Sequence, residues 1–138
     1  MIDLVFKNYT SQIAPRPGFF KNILETVTKE LKMNGNVEVS INLVGEGKVK
    51  DLNKKYRHKD KSTDILSFPI GGGSGDIFIC LSFAKREAKR ENVSMEEKLS
   101  QLAVHGILHL FGYDHERSEQ DAQKMFDLES KILVKIVL

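Results

Sequence analysis

Three of the chain's four histidines lie in one run, "HGILHLFGYDH", from His105 to His115. His105 and His109 are four apart, and His115 follows six later, past Gly112. On a helix, residues i and i+4 project from one face about 5–6 Å apart, close enough for two imidazoles to share one metal ion. Glycine takes a positive φ without cost, so Gly112 can end the helix and return His115 toward the same ion. Three neutral imidazoles and one open position make a catalytic zinc arrangement. A structural site is normally closed by a fourth ligand, often a thiol, and the single cysteine, Cys80, has no CxxC partner. Extended zinc-protease motifs use the same histidine spacing but carry a glutamate directly after the first histidine, which takes the proton of the activated water. Here that position is Gly106. The pattern predicts a metal site whose base comes from elsewhere or from the substrate. A phosphate oxygen accepts such a proton better than a peptide carbonyl does. The missing glutamate therefore argues against peptides and leaves phosphodiesters open.

A second stretch, "LNKKYRHKDKSTDILSF", places Arg57 at the end of a basic segment, just before an apolar run. The guanidinium is a planar fork matched to phosphate oxygens and could stabilise charge as it develops on a phosphodiester. An ordinary surface arginine is the alternative. Lys54, Lys55 and Lys59 surround it as candidate contacts to a nucleic-acid backbone. Between Lys48 and Lys61 there are seven Lys/Arg against two Asp, and "AKREAKRE" adds four more bases. From Asp114 to Glu129 the balance reverses, with six acids against two bases. A basic middle suggests an anionic partner on one face, although solvated helix surfaces account for most such runs. Few aromatic residues interleave with these bases, so no base-stacking platform is expected and recognition should rest on the backbone.

These residues need a frame. "IDLVFK" alternates apolar and polar residues and predicts a strand. "APRPGFFKNILETVTKELKMNG" predicts an amphipathic helix that starts at its prolines and ends at Gly35, with Phe20, Ile23, Leu24, Val27 and Leu31 on its apolar face. "NVEVSINLV" reads as a strand, and "GEGKVKDLNKKYR" as a short basic helix. "STDILSFPI" is a strand closed by Pro69, "GGGSG" a flexible loop, and "DIFICLS" another strand. "FAKREAKREN" predicts a helix. The histidine-bearing helix follows, with a capping box at Ser94 and Glu97 and its stop at Gly112. "SEQDAQKMFDLESKILVKIVL" predicts a last amphipathic helix. The fold expected is α/β (α+β): one mixed sheet of about four strands packed with about five helices.

The bounds agree. A chain of 138 residues suggests one domain, residues 1–138, with a core that needs no staple. One cysteine excludes an internal disulfide, which fits a reducing compartment. No apolar run approaches the roughly 20 residues of a membrane span, and the N-terminus lacks a signal-peptide layout, so the expected location is the cytoplasm with no membrane partner.

Taken together, "HGILHLFGYDH", "NKKYRHKDKSTDILSF" and "GDIFI" resemble the YbeY family, the bacterial endoribonucleases of ribosomal RNA maturation. The resemblance is specific from about Asn53 to Glu116. It implies a single-domain α/β metal-dependent hydrolase with zinc on His105, His109 and His115. It implies Arg57 as the essential basic residue of the cleft. The substrate it implies is single-stranded or ribosomal RNA, with a role at the 3′ end of the 16S RNA of the small ribosomal subunit and in ribosome quality control. Asp114 matches the acid between Tyr113 and His115, where it either orients an imidazole, closes the turn or acts as base. Ser62, Ser74 and Phe111 depart from the family's usual proline, leucine and leucine. Three imidazoles suit nickel, copper or iron as well as zinc. Two other readings stay open: a zinc hydrolase of a non-RNA substrate, and a non-catalytic ribosome-assembly factor with a stabilising metal.

Overall fold

Apolar residues at alternate positions, and at helical spacing in the intervening segments, give each element one face to bury. The computed structural model describes residues 1–136. Its elements run β1 (Ile2–Asn8), α1 (Pro17–Glu30), β2 (Val37–Val44), α2 (Glu46–Arg57), β3 (Ile65–Gly71), β4 (Ser74–Cys80), α3 (Leu81–Glu91), α4 (Met95–Leu110) and α5 (Glu119–Leu133). The four strands form one mixed sheet in the order β1-β2-β4-β3. β1, β2 and β4 are parallel neighbours, and β3 closes the sheet antiparallel to β4. The expected fold class and element order are those found.

The two faces of the sheet are unequal. Val37, Val39, Ile41 and Leu43 of β2, with Ile77 and Ile79 of β4, join Phe20, Ile23, Leu24 and Val27 of α1 and the apolar side of α4 in the main core. Met125 and Ile132 of α5 complete it. On the other face a small cluster of Val44, Leu66 and Cys80 lies under Val49 of α2. Residues of β3 therefore divide between two helices. Ile65 packs with the main core beside α4, and Leu66 turns toward α2.

Four local expectations are corrected. α1 ends at Glu30 rather than at Gly35, because Leu31 caps it and Lys32 takes a left-handed φ of 55°. β3 is not closed by Pro69 but runs to Gly71, with a register shift between the two. A proline is tolerated there because β3 is an edge strand, where the missing N–H interrupts no ladder. "GGGSG" is not a loose loop. Gly71 pairs with Ser74 across a tight turn whose Gly72 and Gly73 have φ of 63° and 90°, and a Cβ on Gly73 would lie inside the Phe111 ring. The last helix stops at Leu133, and positions 137–138 of its expected span lie outside the described residues. A smaller shift is that Leu81 opens α3 instead of extending β4.

Candidate metal centre and cleft

α4 supplies two of the histidines. Ser94 accepts a hydrogen bond from the Glu97 N–H at 3.0 Å, and Glu96 and Glu97 set negative charge at the helix's positive end. The helix is buried nearly all round, through Leu99, Leu102, Ala103, Val104, Ile107, Leu108 and Leu110. His105 and His109 are its half-buried polar stripe. At the far end the Tyr113 N–H reaches Leu108 O at 3.1 Å and the Gly112 N–H reaches His109 O at 3.0 Å, the two bonds of a Schellman turn. Gly112 has the φ of +95° that this turn requires. The chain reverses, and His115 arrives beside the helix.

The three rings converge. Their centroids are 4.6 Å (His105 to His109), 5.1 Å (His105 to His115) and 5.3 Å (His109 to His115) apart. One nitrogen from each lies within 4.8 Å of the others. The Nε2 atoms of His105 and His109 are 3.1 Å apart. Two ligands of a tetrahedral ion at about 2.0–2.1 Å each would stand about 3.3 Å apart, so this pair fits a shared metal. Burial holds the His109 imidazole below its usual pKa, helped by the charges of His105 and His115, and neutral imidazole is the ligating form. The set could hold a transition metal and leave a position open.

Gly106 explains its own identity. A Cβ there would lie 2.8 Å from Ile65 Cδ1, 3.0 Å from Ser67 Oγ and 3.3 Å from Ile77 Cδ1. The Ser67 hydroxyl also donates to Gly106 O at 3.3 Å. The helix backbone rests on the sheet, and a side chain at 106 would be driven into it rather than toward the open position. We predict that Gly106→Glu creates no base but destabilises the fold by about 3 kcal/mol or more, through overpacking and a buried unpaired carboxylate. Thermal unfolding should show this as a loss of about 10 °C. A variant melting within about 2 °C of the parent would contradict this packing.

The histidines open on a cleft of about 560 Å³. Arg57, Lys59, Lys61 and Arg117 line it together with Asp64, Tyr113, Asp114 and Glu116. Arg57 ends α2, and its Nη2 donates to Ser67 O at 2.6 Å while its guanidinium lies 5.5 Å from the Phe68 ring centre. The buried Asn53 prepares this stretch, because its side chain donates to Lys61 O at 3.0 Å and its carbonyl accepts from the Lys59 N–H. Lys54 and Lys55 stay on the exposed side of α2, outside the cleft lining. His58 is exposed with φ 57°. Tyr56, edge-on to Phe68, is 55% exposed on α2. Asp114 accepts from the Glu116 N–H at 2.8 Å, and that bond, with Arg117 adding to it, holds its carboxyl below the ordinary range. It closes the turn. Beside the cleft, Glu87 is held above the ordinary range, by burial first and Asp64 second.

Two cleft cations, Lys61 and Arg117, and one further carboxylate were not singled out by sequence reasoning. Glu129 of α5 places Oε2 3.2 Å from His105 Nδ1. Its only sequence signal is membership of an acidic run.

Comparison with known proteins places the chain in a family. A family model described as Endoribonuclease YbeY matches residues 7–137. A curated protein of that name from Sulfurihydrogenibium sp. is 44% identical over 135 residues, covering 93% of this chain and 87% of its own. One from Persephonella marina is 42% identical over 126 residues, covering 86% and 82%. A solution structure from Thermotoga maritima superposes with a TM-score of 0.68 at 29% identity, covering 96% of this chain and 88% of its own.

Proposed function

Since the chain belongs to the YbeY family of endoribonucleases, we propose that it is a metal-dependent endoribonuclease cutting single-stranded RNA in ribosomal RNA maturation. The observation that carries this reading is the convergence of three imidazoles in one cleft with Arg57, Lys59, Lys61 and Arg117. Cations along the walls neutralise phosphates in a sequence-independent way. A polypeptide substrate offers no comparable charge.

In this reading His105, His109 and His115 hold one zinc ion, with nickel as the alternative, and residues 1–138 act as a single hydrolase domain. A metal bound there supplies Lewis acidity and lowers the pKa of water toward about 7. Arg57 forks the scissile phosphate and stabilises charge gathering on its oxygens. Lys59, Lys61 and Arg117 hold the flanking backbone, and Lys54 and Lys55 extend that contact along α2. Asp114 positions His115 through the turn it closes, and a phosphate oxygen of the substrate accepts the proton. The family resemblance supports the 3′ end of 16S RNA in the small ribosomal subunit as the target, with a part in ribosome quality control and a cytoplasmic location. Among the described residues, no helix is long and apolar enough to cross a membrane.

The test is cleavage of a labelled single-stranded RNA by protein stripped with a chelator and then restored with zinc. Cleavage should vanish on stripping, return with zinc, and be absent on a fully paired duplex. Cleavage indifferent to chelation would refute metal dependence. Intact RNA under all conditions would favour the non-catalytic assembly factor.

A further inference from the structure

The acidic run near the end of the chain contains one residue unlike the rest. Asp127 and Glu119 are exposed, whereas the Glu129 side chain is 21% exposed and reaches His105, 27% exposed, across 24 residues of sequence. Met125 and Ile132, four before and three after Glu129, share its side of α5 and are fully buried in the main core. The carboxylate is thus carried on an anchored helix, not on a mobile arm. Among the described residues it forms no ion pair with a lysine or arginine.

We infer that Glu129 is a positioning residue of the metal centre, fixing the His105 ring with its proton on Nδ1 so that Nε2 is presented bare to the ion. This rests on the metal reading of the three histidines. An ionised carboxylate only accepts hydrogen bonds, so the nitrogen facing it must carry hydrogen. In a neutral imidazole the other nitrogen then has the lone pair, and that nitrogen is Nε2, 3.1 Å from His109 Nε2. Without the acceptor the two tautomers compete, and the form with hydrogen on Nε2 cannot ligate. The carboxylate also makes the imidazole a stronger donor to the metal. Metal binding and the docking of α5 on α4 then become linked.

The test compares wild type with Glu129→Gln, which keeps shape but can either accept from or donate to Nδ1. Zinc affinity is measured by competition with a chromogenic chelator. The His105 tautomer is read in metal-free protein from the ring nitrogen chemical shifts. Expected are hydrogen on Nδ1 in wild type, a mixed or reversed tautomer in the variant, and zinc bound about 10–100-fold more weakly. Affinity within twofold of wild type with an unchanged tautomer overturns the assignment. If wild type takes up no zinc, the metal reading fails. The tautomer then tests only whether Glu129 fixes the His105 ring, which a proton that moves off Nδ1 in Glu129→Gln supports and one that stays overturns.

Discussion

Alanine at position 109 is expected to remove bound metal and RNA cleavage together. His109 Nε2 lies 3.1 Å from its neighbour on His105, and no cysteine stands among the cleft residues to replace it. Two imidazoles cannot form the three-ligand site that catalytic zinc needs. Elemental analysis of protein purified without added metal should find about one equivalent in wild type and under about a tenth of that in His109→Ala. Cleavage should fall at least about a hundredfold, the scale of losing one electrostatic contact at a reacting centre. Acid should act in the same direction. The folded pKa of His109 is depressed, mainly by burial, so the unfolded chain takes up the proton first as pH drops through 6.5. Stability from this group is present above that value and declines below it, and protons then compete with metal for the ring. Wild-type metal content in His109→Ala would place the ion elsewhere.

Arg57→Ala is expected to keep metal and fold while abolishing most cleavage. The residue is exposed, and removing its single bond to Ser67 O costs about 1 kcal/mol. It is not one of the clustered ligands, so metal content should be unchanged. The rate should drop about 10²–10³-fold if its fork stabilises charge on the phosphate. Arg57→Lys should recover little, because a point charge cannot make the paired contact. The salt dependence of RNA binding should also weaken, by about one unit of slope. Normal cleavage by Arg57→Ala would remove it from the mechanism.

What the sequence made legible was local. The histidine spacing, the Ser94 cap and the Gly112 turn are each set by residues within a few positions of one another, and all three stand as read. Arg57 and Lys59 were found because they share one short basic segment. Lys61 was counted in that same segment but nothing local singled it out from the other bases, and Arg117 was missed because only the fold brings the segment after α2 to the turn after α4. Glu129 is farther still, and no spacing rule links it to His105. The sheet order was equally hidden. β4 sits between β2 and β3, although β3 precedes it in the chain, and only long-range packing decides that. Pro69 misled because it usually ends a strand, and here the strand is at an edge. Gly106 was read as a missing base when its more immediate cause is steric, the contact of α4 with Ile65 and Ser67.

The contact between Arg57 and Ser67 bears on what the cleft refuses. β3 is both the cleft's wall and one of the two edges of the sheet, and such an edge can bind an extended peptide as one more strand, through its unpaired N–H and C=O groups. Here that template is spoiled. Arg57 already donates to the Ser67 carbonyl, Pro69 has no N–H to offer, and the register shift beyond it breaks the repeat. An incoming polypeptide finds no ladder to extend, whereas a polyanion asks nothing of the edge and meets a guanidinium already at the wall. One side chain thereby occupies a carbonyl of the edge strand while keeping its charge at the cleft wall.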